Sequence, residues 1–180
     1  MKKVVALVLM VVVLAGAAVA LEAGDGCIVE RVGDAACVLP ETTEKSWPVR
    51  PDVLVIYPDE PDQRCLFRLW LEGPVDEATF AVDSVRCRFR PEKVGDRALI
   101  RIGKGSIDFL TALCAAEDTP RLRTTWDGGY RDYDINEDLM DAVRALYARF
   151  QALGGDTEAY ARDQDNTIFH VNAPISCLVR

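Results

Sequence analysis

The sequence is poor in the residues that enzyme sites and metal sites most often use. It has one histidine, His170, among 180 residues. Its cysteines include none of the close C-x-x-C pairs that hold structural zinc. No nucleotide-binding motif and no G-x-S-x-G turn for a serine nucleophile are present. We therefore expect no metal and no cofactor, and a binding protein rather than an enzyme.

An enzymatic alternative remains, because His170 has the side chain best suited to acid–base chemistry near neutral pH. Any acidic protein also supplies carboxylate pairs, and their separation in space decides whether they can cleave a glycoside. The alternative to a binding module is thus a small extracytoplasmic hydrolase that uses carboxylates or His170. A structural component of the cell envelope is a third class.

A complete calcium loop is also missing, although acidic residues are dense between positions 127 and 141. Oxygen-bearing side chains alternate there as calcium ligands do, at Asp132, Asp134, Asn136 and Asp138. However, Glu137 stands where such a loop needs its turn glycine, and Val143 stands where it needs a bidentate glutamate. We interpret these acids as turn formers and as favourable charges at a helix N-terminus.

No apolar run is long enough for a permanent membrane span, which takes roughly 20 residues. The longest apolar run, from Val4 to Leu14, follows two lysines and precedes the small residues Ala18-Val19-Ala20. A basic start, an apolar core and a small-residue cleavage site are typical of a secretory signal peptide. We expect residues 1–20 to be removed, leaving a periplasmic or secreted protein without a stable membrane anchor. An uncleaved anchor and a lipoprotein signal at Cys27 are the less favoured alternatives.

The charge of the chain is strongly negative. Its formal net charge is −8, and loss of the two signal-peptide lysines gives −8 − 2 = −10 for the mature chain. Nucleic acid and anionic membrane surfaces are disfavoured as partners, because both attract positive charge. The expected partner is therefore a protein or an anionic ligand in the envelope or the extracellular space.

An even number of cysteines in an exported chain predicts disulfides. The six cysteines are Cys27, Cys37, Cys65, Cys87, Cys114 and Cys177. Six cysteines allow many pairings, and the sequence does not choose among them. We expect three disulfides, with sequential pairing as the simplest hypothesis.

The pattern of apolar residues predicts an α+β domain over residues 53–180, preceded by an irregular, disulfide-bearing section over residues 21–52. Strands are predicted at 53–57, 65–72, 79–90, 97–102, 122–126, 133–135, 168–171 and 175–179, and helices at 107–116 and 137–153. We expect a disulfide-stabilised antiparallel sheet with two helices packed on one face. The alternative is a ferredoxin-like βαββαβ core from residue 97 onward, with extra N-terminal strands.

One charged pattern predicts a binding surface. Apolar residues alternate with arginines over residues 85–90 and again over residues 97–102. If the two segments form a hairpin, its outer face carries Arg86, Arg88, Arg90, Arg97 and Arg101. Like charges placed opposite one another across strands are destabilising. Either the protein's own carboxylates neutralise these arginines, or an anionic ligand or acidic partner does so.

Overall fold

The computed structural model describes residues 25–58, 64–103 and 106–155, which contain ten strands and two helices. In chain order the elements are β1 (Cys27–Val32), β2 (Ala35–Pro40), β3 (Val49–Ile56), β4 (Arg64–Glu72), β5 (Glu77–Val82), β6 (Val85–Phe89), β7 (Glu92–Val94), β8 (Arg97–Arg101), α1 (Ile107–Cys114), β9 (Arg121–Trp126), β10 (Gly129–Asp134) and α2 (Glu137–Ala152). The predicted α+β class is confirmed. The predicted single sheet is wrong, since the described strands form two antiparallel sheets.

The larger sheet has six strands in the order β1-β2-β3-β4-β8-β7. Its central strand β4 follows the alternation that the sequence predicts, and β3 begins at Val49, four residues before the predicted start. Val53 pairs with Phe67, and both side chains are fully buried on the inner face of the sheet. Their chain neighbours Asp52 and Arg68 project from the opposite face, because successive side chains alternate across a strand.

The smaller sheet has four strands in the order β10-β9-β5-β6. Ala78, Phe80 and Val82 of β5 are buried, whereas Thr79 and Ala81 between them are half-buried on the outer face. Its hairpin β9–β10 turns at Gly128, whose φ of 88° favours glycine, as the sequence predicts.

The two helices join the inner faces of the sheets in one apolar core. Phe109 of α1 packs against Phe80 and Phe89 of the four-stranded sheet, with ring centroids 5.0 Å apart in each pair. Phe150 of α2 packs edge-on against Phe67 of the six-stranded sheet, at a centroid distance of 5.8 Å. The outer faces of the sheets carry charged side chains such as Arg68 and Arg88, beside apolar ones such as Trp70.

Both helices lie where the sequence places them. α2 is capped by Asn136, whose side chain accepts a hydrogen bond of 3.1 Å from the backbone N–H of Leu139. Ser106 precedes α1 as expected but makes no side-chain cap, because its hydroxyl bonds to the backbone of Gly103 instead.

The predicted strand at 79–90 is two strands. The chain reverses at Asp83, which adopts a left-handed φ of 49°. The Asp83 carboxylate accepts hydrogen bonds from the backbone N–H groups of Glu117 and Asp118, at 3.3 and 3.0 Å, and this holds the turn. As a result β6 pairs with β5, and the expected hairpin of β6 with β8 does not form.

Two other predictions about architecture need correction. The section 21–52 is not irregular where it is described, because β1 and β2 form a hairpin at the edge of the six-stranded sheet. The ferredoxin-like alternative needs β8, β9 and β10 in one sheet, yet β8 belongs to the six-stranded sheet and the other two to the four-stranded sheet. The predicted strands after residue 168 and the signal peptide lie outside the described residues.

The predicted disulfides are absent from the described residues, where no cysteine is bonded to another. Cys27 and Cys37 lie three register positions apart on adjacent strands, about 10 Å along the strand and on opposite faces, which is too far for a disulfide. Cys65 and Cys87 belong to different sheets. Cys177 lies outside the described residues, and its proposed partner Cys114 is a free thiol. Burial raises the pKa of the Cys65 and Cys114 thiols to about 11.

Candidate functional site

The outer face of the four-stranded sheet carries a cluster of arginines that the strand register creates. Ala81 of β5 lies between Arg86 of β6 and Arg121 of β9. One step along the same face, Thr79 lies between Arg88 and Arg123. We call this surface the arginine trough: four arginines, Arg86, Arg88, Arg121 and Arg123, above a floor formed by Thr79 and Ala81.

The dimensions of the trough follow from sheet geometry. Two arginines on one strand are two residues apart, about 7 Å, and β6 is separated from β9 by β5, about 10 Å. Because the floor residues are small, the arginine side chains enclose a cavity of about 670 Å³. That volume lies within the range of roughly 300–1,000 Å³ that is usual for small-molecule sites.

The row above Thr79, formed by Arg88 and Arg123, is neutralised by carboxylates of the protein itself. Arg123 donates to both carboxylate oxygens of Asp132, from Nε at 2.6 Å and from Nη2 at 2.8 Å. This hydrogen bonding lowers the pKa of Asp132 below its ordinary value. Arg88 forms a longer ion pair with Glu77, at 3.3 Å. These two arginines therefore have internal counter-charges.

The row above Ala81, formed by Arg86 and Arg121, is less well neutralised by carboxylates. Arg121 reaches Asp134 at 3.4 Å, but both side chains are about three-quarters exposed, so water screens the pair. Arg86 is exposed and makes no ion pair with any residue in the described ranges. Four arginines face three carboxylates across the trough (Glu77, Asp132 and Asp134), which leaves one positive charge in excess.

The structure divides the five arginines that the sequence analysis proposed as one surface. Arg86 and Arg88 lie in the arginine trough, and Arg90 follows β6 as an exposed residue outside the trough lining. Arg97 and Arg101 lie on the outer face of the other sheet, at 3.8 Å from Glu72 and 2.8 Å from Glu92. The predicted alternation of each strand is confirmed, but the five residues do not form one face.

Sequence reasoning missed Arg121 and Arg123 as members of the candidate site. Their signal was present, because Arg121 and Arg123 alternate with Leu122 and Thr124 just as the arginines of β6 alternate with apolar residues. The pairing of β9 with β5 brings them to the same face, and this pairing joins segments about forty residues apart in the chain.

The features that would favour catalysis are not found around the trough. Within residues 25–58, 64–103 and 106–155, no group of three or more histidine, cysteine or acidic side chains is arranged to hold a metal ion. The trough carboxylates are each in contact with an arginine, and His170 lies outside the described residues. Neither described helix has the length and apolarity that a membrane-spanning helix needs.

Comparison with known proteins gives no relative: the chain matches no protein-family model, no curated protein and no solved structure.

Proposed function

We propose that the protein is a non-catalytic binding module that acts outside the cytoplasm, in the periplasm or after secretion. Its arginine trough holds an anionic ligand or the acidic segment of a partner protein. The observation that carries this proposal is the row above Ala81, where Arg86 makes no ion pair with any described residue and stands across a small side chain from Arg121.

The electrostatics of this row favour an anionic occupant. Arg86 and Arg121 stand on strands about 10 Å apart, with only the small side chain of Ala81 between them. A carboxylate or phosphate placed above Ala81 can therefore accept hydrogen bonds from both guanidinium groups. The planar guanidinium group matches such anions with two parallel hydrogen bonds, which gives specificity as well as affinity.

The same residues are poorly suited to chemistry. An arginine side chain stays protonated throughout the ordinary pH range, so the four guanidinium groups supply no general base. A hydrolase would instead need titratable groups that converge on one point of a cavity. The acids of the trough are held by arginines, so binding is the function that this geometry supports best.

The proposal is tested with a fluorescent polyglutamate peptide, whose anisotropy reports binding to the purified protein at low salt. We expect Arg86→Gln to weaken binding about tenfold, since a charge-assisted hydrogen bond contributes roughly 1.5–3 kcal/mol. Arg131→Gln is the matched control, because Arg131 is equally exposed but does not line the trough. Equal binding by the two variants would contradict the proposed role of the trough.

A further inference from the structure

We propose a second binding site, on the outer face of the six-stranded sheet, for a sugar ring that carries a carboxylate group. It uses Trp70, Arg50 and Arg97, and it is independent of the arginine trough, which lies on the other sheet. The cavity there has a volume of about 380 Å³. Its lining consists of Leu39, Pro40, Thr43, Arg50, Pro51, Asp52, Trp70 and Arg97.

The cavity exists because two strands part. β2 and β3 are paired only as far as Val38 and Val53, and the next residues of β3 include Pro51. Proline has no backbone N–H to donate to a neighbouring strand. Leu39 and Pro40 of β2 therefore diverge from Pro51, and β4 supplies Trp70 to the space between them.

The indole of Trp70 is held in a fixed position. Its Nε1–H donates to Oδ2 of Asp52 at 3.0 Å, and Asp52 is only 6% exposed. Arg68 donates to both oxygens of the same carboxylate, at 2.6 and 2.8 Å, and its guanidinium carbon is 5.3 Å from the centroid of the indole ring. Groups fixed by their neighbours in this way lose little entropy when a ligand binds.

The charged groups at the cavity leave one positive charge in excess. Arg50 and Arg97 approach the same oxygen of Glu72, at 3.2 and 3.8 Å, so two cations share one carboxylate. Asp52 offers no further compensation, since its charge is matched by Arg68.

Arg50 also has an unused hydrogen-bond donor. Its Nε is buried and has no hydrogen-bond partner among the described residues, although its Nη2 reaches Glu72. Arg68 uses both Nε and Nη2 to bind Asp52 side-on. A ligand carboxylate would meet the exposed end of the Arg50 side chain, which is 33% exposed, and would reach Nε side-on only if that side chain turned away from Glu72.

The combination of groups selects the ligand class. The half-buried side chains of Trp70 and Leu39 form an apolar wall, on which the C–H face of a pyranose ring can pack. Thr43 offers a hydroxyl group for hydrogen bonding at the rim. A neutral sugar can pack on this wall but brings no anion to the arginines. Inorganic phosphate brings an anion but has no apolar face to pack on the wall. A hexuronic acid satisfies both requirements.

The first experiment compares three probes, glucuronate, glucose and inorganic phosphate, by calorimetry and by the ¹⁵N–¹H signal of the Trp70 indole. We expect glucuronate to bind at least about tenfold more tightly than either other probe and to shift the Trp70 signal, because glucose lacks the charge-assisted hydrogen bonds and phosphate lacks the packing on the indole. Equal affinity for glucose or for phosphate, or an unchanged Trp70 signal, would overturn the assignment.

The second experiment uses variants to locate the carboxylate of glucuronate. We expect Arg97→Gln to weaken glucuronate binding about tenfold. Glu72→Gln is expected to strengthen it, because the competing carboxylate is removed. Lys93→Gln is the control, because Lys93 is an exposed cation on the neighbouring strand β7 that does not line the cavity. A loss of binding in Glu72→Gln, or equal effects of Arg97→Gln and Lys93→Gln, would overturn the proposal.

The two proposed sites are separated by one further comparison. The variant Arg86→Gln should bind glucuronate as the unchanged protein does, whatever its affinity for polyglutamate. If Arg86→Gln abolishes glucuronate binding, the sugar acid occupies the arginine trough and the second site is refuted.

Discussion

Asp52 and Arg68 face each other directly across β3 and β4, and the Arg68 guanidinium donates to both carboxylate oxygens, at 2.6 and 2.8 Å. Their side chains are 9% and 14% exposed, so this ion pair is largely removed from water. Arg123 and Asp132 repeat the same geometry on the other sheet, with the same two distances, but each side chain is 54% exposed. These two side-on ion pairs differ in burial and in the further hydrogen bond that Asp52 accepts from Trp70.

Because of this difference, we expect that breaking the two pairs lowers the free energy of unfolding by unequal amounts. Asp52→Asn should lower the free energy of unfolding by about 3–5 kcal/mol, because it leaves the buried Arg68 guanidinium without its counter-charge. Asp132→Asn should change stability little, because water replaces the lost contact of an exposed arginine. Urea denaturation of both variants measures the difference. Similar losses in the two variants would show that burial is not what makes the Asp52–Arg68 pair important.

We expect the protein to lose stability at alkaline pH because two thiols, the buried Cys65 and the half-buried Cys114, have a raised pKa. Burial raises the pKa of Cys65 and Cys114 to about 11, from 9.0 for an unburied thiol. The protonated thiols favour the folded state, so their contribution is fully present below pH 9 and is lost as pH rises towards 11. Melting temperatures from pH 8 to pH 11 should therefore fall, and fall less in the variant with Cys65→Ala and Cys114→Ala. Identical slopes in the two proteins would contradict this explanation.

The described cysteines should all be available to an alkylating reagent once the protein is unfolded. The register separates Cys27 from Cys37, and Cys65 and Cys87, on strands of different sheets, are not bonded to each other. Peptide mapping after iodoacetamide treatment in denaturant without reductant should therefore recover all four residues, and Cys114, as alkylated thiols. A peptide that links Cys27 to Cys37 would require a shift in the pairing of β1 with β2.

Export remains a prediction from the N-terminal sequence. The mature chain should begin near Leu21, because the small residues Ala18-Val19-Ala20 form the expected cleavage site. Intact mass spectrometry of the protein recovered from its native host checks this. A mass that retains residues 1–20 would show that the segment is not a cleaved signal peptide.

Elements with strong local signals were predictable from the sequence. α2 was predicted at 137–153 and is found at Glu137–Ala152, because Asn136 caps its start, apolar residues recur at helical spacing and Gly154 follows its end. The β9–β10 hairpin was equally clear from its Asp127-Gly128 turn.

The division of strands between two sheets was not predictable in this way. The turn at Asp83 has neither glycine nor proline, and it depends on hydrogen bonds from Glu117 and Asp118, more than thirty residues away. When that turn is not recognised, the sequence pattern predicts a hairpin of β6 with β8. Such a hairpin would place Arg97 and Arg101 beside Arg86. Only the tertiary pairing of β9 with β5 shows that Arg121 and Arg123 are the actual neighbours of the β6 arginines.

The most direct test of the proposed function is a salt titration of polyglutamate binding by two double variants of equal net charge. Arg86→Gln with Arg121→Gln removes the row above Ala81, whereas Arg90→Gln with Arg131→Gln removes two exposed arginines outside the trough lining. If the trough binds anions, the first variant should lose most of its affinity for polyglutamate, whereas the second should keep it. The first variant should also lose most of the salt dependence of binding, because salt screens exposed charge contacts within roughly 8–10 Å. Equal affinities and equal salt dependence in the two variants would contradict a binding function of the arginine trough.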